Sequence, residues 1–192
     1  MAIAKRTNLP FPVFSDEADS DYILARMIHF LGGGFHSRAG FFAQQACEKY
    51  MKALLVQETK SYIPTHKLLD LAAACAALDV YYAETSMLQI LRNFDYFDQV
   101  GRYGAASTYD PLSIEAQEIK SVGVSIWRGS YINDLDGFVF KTRGKLDFER
   151  ENYTDSLKSI LAMDQQNLLV AEWKGEQPIR VVLTKQNSYF RV

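Results

Sequence analysis

The chain has 192 residues, a formal net charge of −2 and an isoelectric point near 5.9, with 48% hydrophobic and 13% aromatic residues. This composition excludes a disordered chain, because it supplies a hydrophobic core, and it disfavours a protein that holds duplex nucleic acid through a broad basic surface. No apolar run reaches the roughly 20 residues that cross a bilayer, and none of signal-peptide length follows Lys5 and Arg6. We therefore predict a cytoplasmic protein without a membrane anchor, whose Cys47 and Cys75 are reduced core residues.

The first predicted helix follows an extended, proline-containing arm over residues 1–14. Ser15 stands directly before two acidic residues, so we predict that its side chain caps the helix. Three glycines at residues 32–34 end the helix and favour a tight reversal of the chain. A phosphate-binding loop is the less favoured alternative, because no strand precedes these glycines and no Gly-Lys-Ser/Thr follows them.

A second helix is predicted over residues 35–58, without a proline break. Its buried face is marked by residues at three- and four-residue spacing, namely Ala39, Phe42, Ala43, Ala46, Tyr50, Ala53 and Leu54. The opposite face carries Gln45, Glu48, Lys49 and Lys52, and Glu48 and Lys52 have the favourable spacing of an ion pair. We predict that this face is solvated, with the alternative that Gln45, Lys49 and Lys52 line a ligand cleft.

Pro64 separates the second helix from a third, for which Thr65 is the predicted cap. His66 follows this cap, and we expect it to cap or pack at the helix start rather than to catalyse. A fourth helix begins near Thr85 and leaves Arg92 off its apolar stripe. That stripe comprises Met87, Ile90, Leu91, Phe94 and Phe97.

A long loop is predicted over residues 99–111, and loops of this length in compact domains are often functional. It contains Arg102 beside Tyr103, a pair that suits a phosphate and a stacked base. An ordinary surface loop is the alternative. Asp110 and Pro111 then open a fifth helix, whose apolar pattern fades around residues 134–137.

These elements predict an all-α up-and-down helical bundle over residues 15–141 and a smaller C-terminal extension over residues 151–192. Charged residues dominate 142–152, which is typical of a linker. The extension is predicted to contain a short helix near residues 153–161 and a β-hairpin over residues 168–184, with a further strand at the chain end. Because a lone hairpin is marginal in water, it must pack on another element or another chain.

Two motifs stand in register along the second and third helices. Ala-Gln-Gln-Ala-Cys-Glu-Lys at residues 43–49 is followed by Lys-Ala-Leu-Leu at residues 52–55, and Thr-His-Lys-Leu-Leu occupies residues 65–69. In this the chain resembles the HEPN family of helical bundle domains. The resemblance implies an all-α bundle that forms a homodimer. It also implies nucleotide binding, metal-independent RNA cleavage at the dimer cleft, or pairing with a minimal nucleotidyltransferase as half of a toxin–antitoxin system.

The resemblance implies that RNA is cleaved by an arginine and a histidine that have four to six residues between them. The resemblance places Arg92 at the arginine position, but Phe97, Asp98 and Gln99 stand where the histidine belongs. The reaction needs a group that exchanges protons near neutral pH, as an imidazole does and an aspartate does not without a large upward shift in its pKa. Arg92 is expected to bind a phosphate in the cleft, or alternatively to pair with Asp95 or Asp98.

Three hypotheses about function remain open. The first is a HEPN-like protein that binds a nucleotide or RNA phosphate in a homodimer cleft. The second is the protein-interaction half of a toxin–antitoxin-like pair with a nucleotidyltransferase, docked through the tail or the loop. The third is a metal-independent endoribonuclease that uses Asp95, Asp98 or a histidine of the second subunit.

No histidine, cysteine and carboxylate cluster has metal spacing, so neither metal nor cofactor is expected. The predicted binding residues are Arg92, Arg102, Tyr103, Gln45, Lys49 and Lys52.

Overall fold

Helices make up most of the structure, a computed structural model that describes residues 5–6, 11–31, 36–103, 131–146 and 185–189. Within these ranges, two-residue strands form an antiparallel pair and a short 3₁₀ helix precedes the fourth α-helix. The elements are β1 (Lys5–Arg6), α1 (Phe11–Leu31), α2 (His36–Thr59), β2 (Ser61–Tyr62), α3 (Leu68–Cys75), the 3₁₀ helix (Val80–Ala83), α4 (Thr85–Tyr103) and α5 (Tyr131–Arg143). The predicted all-α bundle is confirmed in these residues, and Cys47 and Cys75 are free and buried in its core.

Helix α1 begins at Phe11, five residues before the start predicted after a Ser15 cap. Pro12 fits its first turn because the N–H that proline lacks would have no helical acceptor there. Ser15 is fully buried inside the helix, so the prediction that Ser15 caps it is wrong. The helix ends at Leu31, directly before the three glycines, as predicted.

Helix α2 is the central element of the bundle and packs against the other four α-helices described. Its predicted apolar face is buried, apart from Phe42, which is half-buried. The predicted solvated face is wrong at Glu48 and Lys52, which are only 4% and 6% exposed. Because neighbouring elements cover both sides of the helix, these charged side chains lie inside the bundle and must find partners there.

Helices α2 and α4 approach each other closely at Gly40. The buried ring of Phe97 lies against this glycine, and a β-carbon at position 40 would overlap the ring. Glycine is therefore required for this packing. The apolar stripe predicted for α4 is confirmed, since four of its five members are buried and Ile90 is partly buried against the core.

Helix α3 begins at Leu68, three residues after the predicted cap. The N-cap residue is Lys67, whose side chain makes no capping hydrogen bond. Thr65 lies outside the helix, where its hydroxyl accepts the N–H of Lys67 at 3.1 Å and donates to Asp70 at 3.2 Å. The prediction of a Thr65 N-cap is therefore wrong.

Helix α4 continues to Tyr103, through the first part of the predicted loop. The prediction of a loop from residue 99 is therefore wrong over residues 99–103. A single glycine, Gly101, costs only about 1 kcal/mol inside a helix and does not have to end it. The rest of that loop and the helix start at Asp110 lie outside the described residues.

Helix α5 spans Tyr131–Arg143, so the predicted fading of the helical pattern around residues 134–137 is wrong. The predicted linker starts too early as well, because Thr142 is buried in the last turn and accepts a hydrogen bond from the Tyr82 hydroxyl at 3.1 Å. Gly137 lies on the helix without breaking it, since the buried side chains on either side keep the helical spacing. These side chains are Tyr131, Ile132, Leu135, Phe138 and Val139.

Only residues 185–189 of the C-terminal extension are described, and they form a turn. Its residue Tyr189 packs near Gly137 and Phe140 of α5. The predicted helix near 153–161, the hairpin and the domain division stay predictions, because they rest on residues outside the described ranges. No helix among the described residues is long and apolar enough to span a membrane.

Candidate functional site

A buried carboxylate on α2 meets an exposed imidazole at the start of α3. Glu48 lies 3.1 and 3.2 Å from the Nδ1 of His66 through its two carboxylate oxygens. It also accepts a 2.7 Å hydrogen bond from Lys52, one turn further along α2. The His66 side chain is 61% exposed, whereas that of Glu48 is 5% exposed. The carboxylate therefore belongs to the protein interior, and the imidazole reaches from it into solvent.

Glu48 fixes how the His66 ring is presented. A carboxylate accepts hydrogen bonds, so Nδ1 carries the hydrogen and Nε2 of the neutral ring is left as an acceptor. Gln44 holds the same residue from the backbone side, because its Nε2 donates to the His66 carbonyl oxygen at 2.9 Å. Within the described residues, Nε2 of His66 has no partner. His66 makes no capping hydrogen bond to α3, and its imidazole, at the start of that helix, instead contacts Glu48 of α2.

A hydrogen bond between α3 and α4 fastens this segment to the helix that carries Arg92. The N–H of Leu68, two residues after His66, donates to the Asp95 carboxylate at 2.7 Å. Asp95 lies one helical turn after Arg92, about 4.5 Å along α4 and about 60° around it. This hydrogen bond thus links the segment that carries the imidazole to the helix that carries the guanidinium.

Arg92 is exposed on α4 and donates to the side-chain amide oxygen (Oε1) of Gln89 at 3.3 Å. Within the described residues, Gln89 is its only partner. The alternative of an ion pair with Asp95 is not seen, because Asp95 faces the start of α3. The same contact occupies Asp95 as a helix cap, which weighs against its use as a catalytic base.

Lys49 is held by α1. Its ammonium lies 3.0 Å from a carboxylate oxygen of Glu17 and 2.8 Å from one of Asp21. Burial lowers the pKa of Lys49, but its hydrogen bonds to the two carboxylates outweigh this and raise the pKa overall. Burial also raises the pKa of Asp21, and Lys49 opposes that rise only in part. Lys49 is therefore engaged in joining α1 to α2.

Gln45 and Lys52 are engaged inside the bundle as well. Gln45 donates to the side-chain oxygen of Gln44. The Lys52 ammonium neutralises Glu48 and lies 5.6 Å from the centre of the Tyr62 ring. The predicted ion pair between Glu48 and Lys52 is confirmed, but it is buried rather than solvated. The structure does not bring the three α2 candidates together with Arg92; their described partners lie on α1, α2 and β2.

The family model of the HEPN domain matches residues 16–122, which is more than half of the chain. The chain belongs to the HEPN family. Comparison with curated proteins and with solved structures finds no match. Membership places the chain among domains that are generally nucleotide- or RNA-related and that commonly dimerise.

This HEPN domain uses one of the three positions where the histidine belongs for packing. Phe97 is buried against Gly40 in the contact between α2 and α4. The side chains of the other two positions, Asp98 and Gln99, are not among those described. A histidine at position 97 would put a polar ring in place of an apolar one in the core. The packing of α2 against α4 therefore favours phenylalanine over the family's histidine at this position.

The remaining two candidates of the HEPN domain, Arg102 and Tyr103, lie in the last turn of α4 rather than in a loop. Their side chains are outside what is described, but the helical register gives their positions. Around the helix axis, Tyr103 has nearly the same angular position as Arg92 and lies about 16 Å from it along the axis. Arg102 has nearly the same angular position as Asp95 and lies about 10 Å from Asp95 along the axis. The three predicted residues thus share one helix.

Buried ion pairs between α1 and α5 were missed by the sequence reasoning. Arg26 donates to the Asp136 carboxylate and to the backbone oxygen of Lys185. Tyr22 donates to the same carboxylate at 2.7 Å and accepts from Asn187 at 3.0 Å. Burial raises the pKa of Asp136, and its contacts with Arg26 and Tyr22 oppose this only in part. These bonds fasten α5 and the C-terminal turn to α1.

A second buried pair reinforces the same joint. The Arg143 guanidinium makes two bonds to the Asp19 carboxylate, at 2.9 and 3.1 Å, and the Tyr50 hydroxyl donates to it as well. A signal for both pairs was present in the sequence, since Asp19 and Arg26 recur with Tyr22 at helical spacing. Charged residues on the apolar stripe of a helix need buried partners.

Proposed function

We propose that this HEPN domain binds the phosphate of a nucleotide or of RNA through Arg92, in a cleft between two copies of the chain. Arg102 and Tyr103 extend the site along the same helix. The observation that carries the proposal is the exposed guanidinium of Arg92 at the family's arginine position, held only by a 3.3 Å hydrogen bond to Gln89 within the described residues.

Several physical features favour a phosphate at this position. A guanidinium presents a planar fork of donors that matches two phosphate oxygens. A phosphate needs to displace only a long hydrogen bond to an uncharged amide oxygen, whereas the phosphate itself brings negative charge to the guanidinium. Among the described contacts Asp95 makes no ion pair with Arg92, and its carboxylate accepts the N–H of Leu68. The chain's net charge of −2 then favours a local site over broad electrostatic binding.

Calorimetric titration with mononucleotides and a short RNA tests the proposal. Arg92→Ala is expected to weaken binding about 10-fold or more, because it removes charge-assisted hydrogen bonds. It should also make the slope of log K for RNA binding against log salt concentration shallower by about one, as expected for the loss of one phosphate contact. Lys141→Ala is the matched control, since it removes one exposed cation from another helix. Equal affinity of wild type and Arg92→Ala, or no binding at all, contradicts the proposal.

The dimer is tested separately by light scattering on the purified chain. A mass of two chains at micromolar concentration is expected, with RNA affinity that falls on dilution into monomer. A monomer that binds RNA with full affinity would contradict a site between two copies of the chain, but not phosphate binding by Arg92.

Pairing with a nucleotidyltransferase remains a prediction that rests on the tail. Recovery of such a partner by the full chain, but not by a chain lacking residues 151–192, would support it. No contact of the described residues favours it over the phosphate site.

A further inference from the structure

We propose that Gln89 makes the Arg92 site selective for ribose, by accepting a hydrogen bond from the 2′-hydroxyl next to the bound phosphate. This proposal rests on the proposed phosphate binding by Arg92 and adds the chemical class of the ligand, a ribonucleotide rather than a deoxyribonucleotide. It depends on three side chains that contact one another on α4, namely Gln89, Arg92 and Asn93.

These side chains form a chain of hydrogen bonds on the surface of α4. Nη1 of Arg92 donates to Oε1 of Gln89 at 3.3 Å, and Nε2 of Gln89 donates to Oδ1 of Asn93 at 3.1 Å. Gln89 and Arg92 are exposed, whereas Asn93 is half-buried. Residues three and four positions apart are neighbours on a helix, so Gln89 lies beside both of the others.

The two contacts determine which atom of the Gln89 amide faces Arg92. A guanidinium only donates hydrogen bonds, so it needs the amide oxygen. Asn93 supports the same orientation, because its oxygen accepts from the amide nitrogen of Gln89. The reversed amide would set its N–H groups against those of the guanidinium. Gln89 therefore presents an acceptor at the place where Arg92 would hold a phosphate.

The Arg92 guanidinium is oriented without being neutralised. Arg26 and Arg143, elsewhere in the bundle, each contact a carboxylate. Among the described residues, Arg92 contacts only the uncharged amide of Gln89. Such an amide holds the fork of donors in place while the positive charge stays available for an anion.

Binding of a phosphate releases the oxygen of Gln89. The phosphate takes the donors of the guanidinium, and Oε1 loses the hydrogen bond that it accepted from Arg92. A phosphodiester is ionised at neutral pH and has only acceptors, so it does not replace that donor. A ribose 2′-hydroxyl replaces it, because it carries an O–H and lies beside the 3′-phosphate of the same nucleotide. A deoxyribose has no such group.

Competition with water sets the size of the effect. Gln89 is exposed, so water satisfies its oxygen when no hydroxyl is present. The gain is therefore that of one net hydrogen bond, about 3- to 10-fold in Kd. Asn93 holds the amide in position, which reduces the entropy lost when the ribose binds.

Calorimetric titration of the full chain with RNA, its 2′-fluoro analogue and DNA of the same sequence tests the proposal. The 2′-fluoro analogue keeps the sugar conformation of RNA but has no donor. Wild type is expected to bind RNA about 3- to 10-fold more tightly than the 2′-fluoro analogue. Gln89→Met keeps the length and helix propensity of the side chain without its amide, so it is expected to bind the two equally.

Gln89→Glu tests whether an uncharged partner is needed at this position. Its carboxylate would pair with Arg92 and repel a phosphate, so it is expected to weaken the binding of RNA and DNA alike, by about 3-fold or more. Gln186→Glu is the matched control, because it makes the same change at an exposed residue of the turn over 185–189.

The outcomes separate the two proposals. Equal affinity of wild type for RNA and its 2′-fluoro analogue, an unchanged preference in Gln89→Met, or equal affinities of Gln89→Glu and Gln186→Glu overturns the role of Gln89. Phosphate binding still stands if Arg92→Ala weakens binding. No binding, or binding that Arg92→Ala leaves unchanged, overturns both. Because Gln89 is exposed, unchanged thermal unfolding of Gln89→Met is the check that its altered affinity is local.

Discussion

The Asp95 carboxylate on α4 accepts a 2.7 Å hydrogen bond from the backbone N–H of Leu68, the first residue of α3. Helices commonly begin with a capping side chain from the preceding residue, yet Lys67 provides none. The cap therefore comes from a different helix, 27 residues further along the chain. One contact both starts α3 and ties the segment of His66 to the helix of Arg92.

Loss of this cap is expected to destabilise the bundle. Asp95→Ala should lower the free energy of unfolding by about 1–2 kcal/mol, because it leaves the Leu68 N–H without its acceptor. Asp95→Asn keeps a side-chain oxygen and should lose clearly less. Urea unfolding of the three proteins measures both differences. Equal stability of wild type and Asp95→Ala would show that another acceptor replaces the carboxylate.

Removal of the buried ammonium beside Glu48 should be more costly. Lys52→Met is expected to lose about 3 kcal/mol, because it leaves a buried carboxylate without its cation. The double variant Glu48→Gln/Lys52→Met should lose less than Lys52→Met alone, since no unpaired charge remains. Urea unfolding again gives the values. Lys49→Met serves as the control, because Lys49 is more exposed and should lose less than Lys52.

Gly40→Ala is expected to destabilise the protein, although alanine is the better helix former by about 1 kcal/mol. The added β-carbon overlaps the Phe97 ring, and overpacking of a core typically costs about 1–3 kcal/mol. Combining it with Phe97→Leu should recover part of the loss. A stabilised Gly40→Ala in thermal or urea unfolding would mean that the ring moves aside without cost.

Asp134 should contribute a defined pH dependence to stability. Burial raises the pKa of this carboxyl above its ordinary value of 3.8. Because the pKa in the folded state exceeds that in the unfolded chain, the protonated carboxyl contributes its full stabilisation below the unfolded pKa of about 3.9. This stabilisation is lost as the pH rises through the folded pKa. Asp134→Asn should therefore remove a decrease in stability between acidic and neutral pH.

Urea unfolding at a series of pH values measures this difference between wild type and Asp134→Asn. Asp70→Asn is the control, because Asp70 occupies the first turn of α3 and is exposed. An identical pH dependence of wild type and Asp134→Asn would contradict the expected effect of burial.

Local pattern was sufficient to predict a helical protein and the bounds of its second helix. The bounds predicted for the second helix differ from those of α2 by one residue at each end, because Pro64 and the glycines at 32–34 interrupt an otherwise continuous pattern. Pattern failed where tertiary contacts outweigh local preference. Ser15 and Thr65 are good caps in isolation, but α1 begins earlier and α3 takes its cap from Asp95.

Part of the candidate site could likewise be predicted from the sequence, and part of it could not. The exposed position of Arg92 could be predicted from the sequence, because the apolar stripe of α4 leaves that position outside. The pairing of Glu48 with His66 could not be predicted, since 18 residues and a reversal of the chain separate them. Glu48 looked solvated because periodicity reports one buried face of a helix and not how many neighbours cover it.

Sequence alone determined the helical class, the family and the absence of a histidine after Arg92, because these depend on residue types at short spacing. Tertiary structure decided which charges are buried and which residues meet across the bundle. The pairs Glu48–His66 and Arg26–Asp136 exist only once separate segments pack together, since a carboxylate withdrawn from water must be matched by whatever donor the fold brings to it.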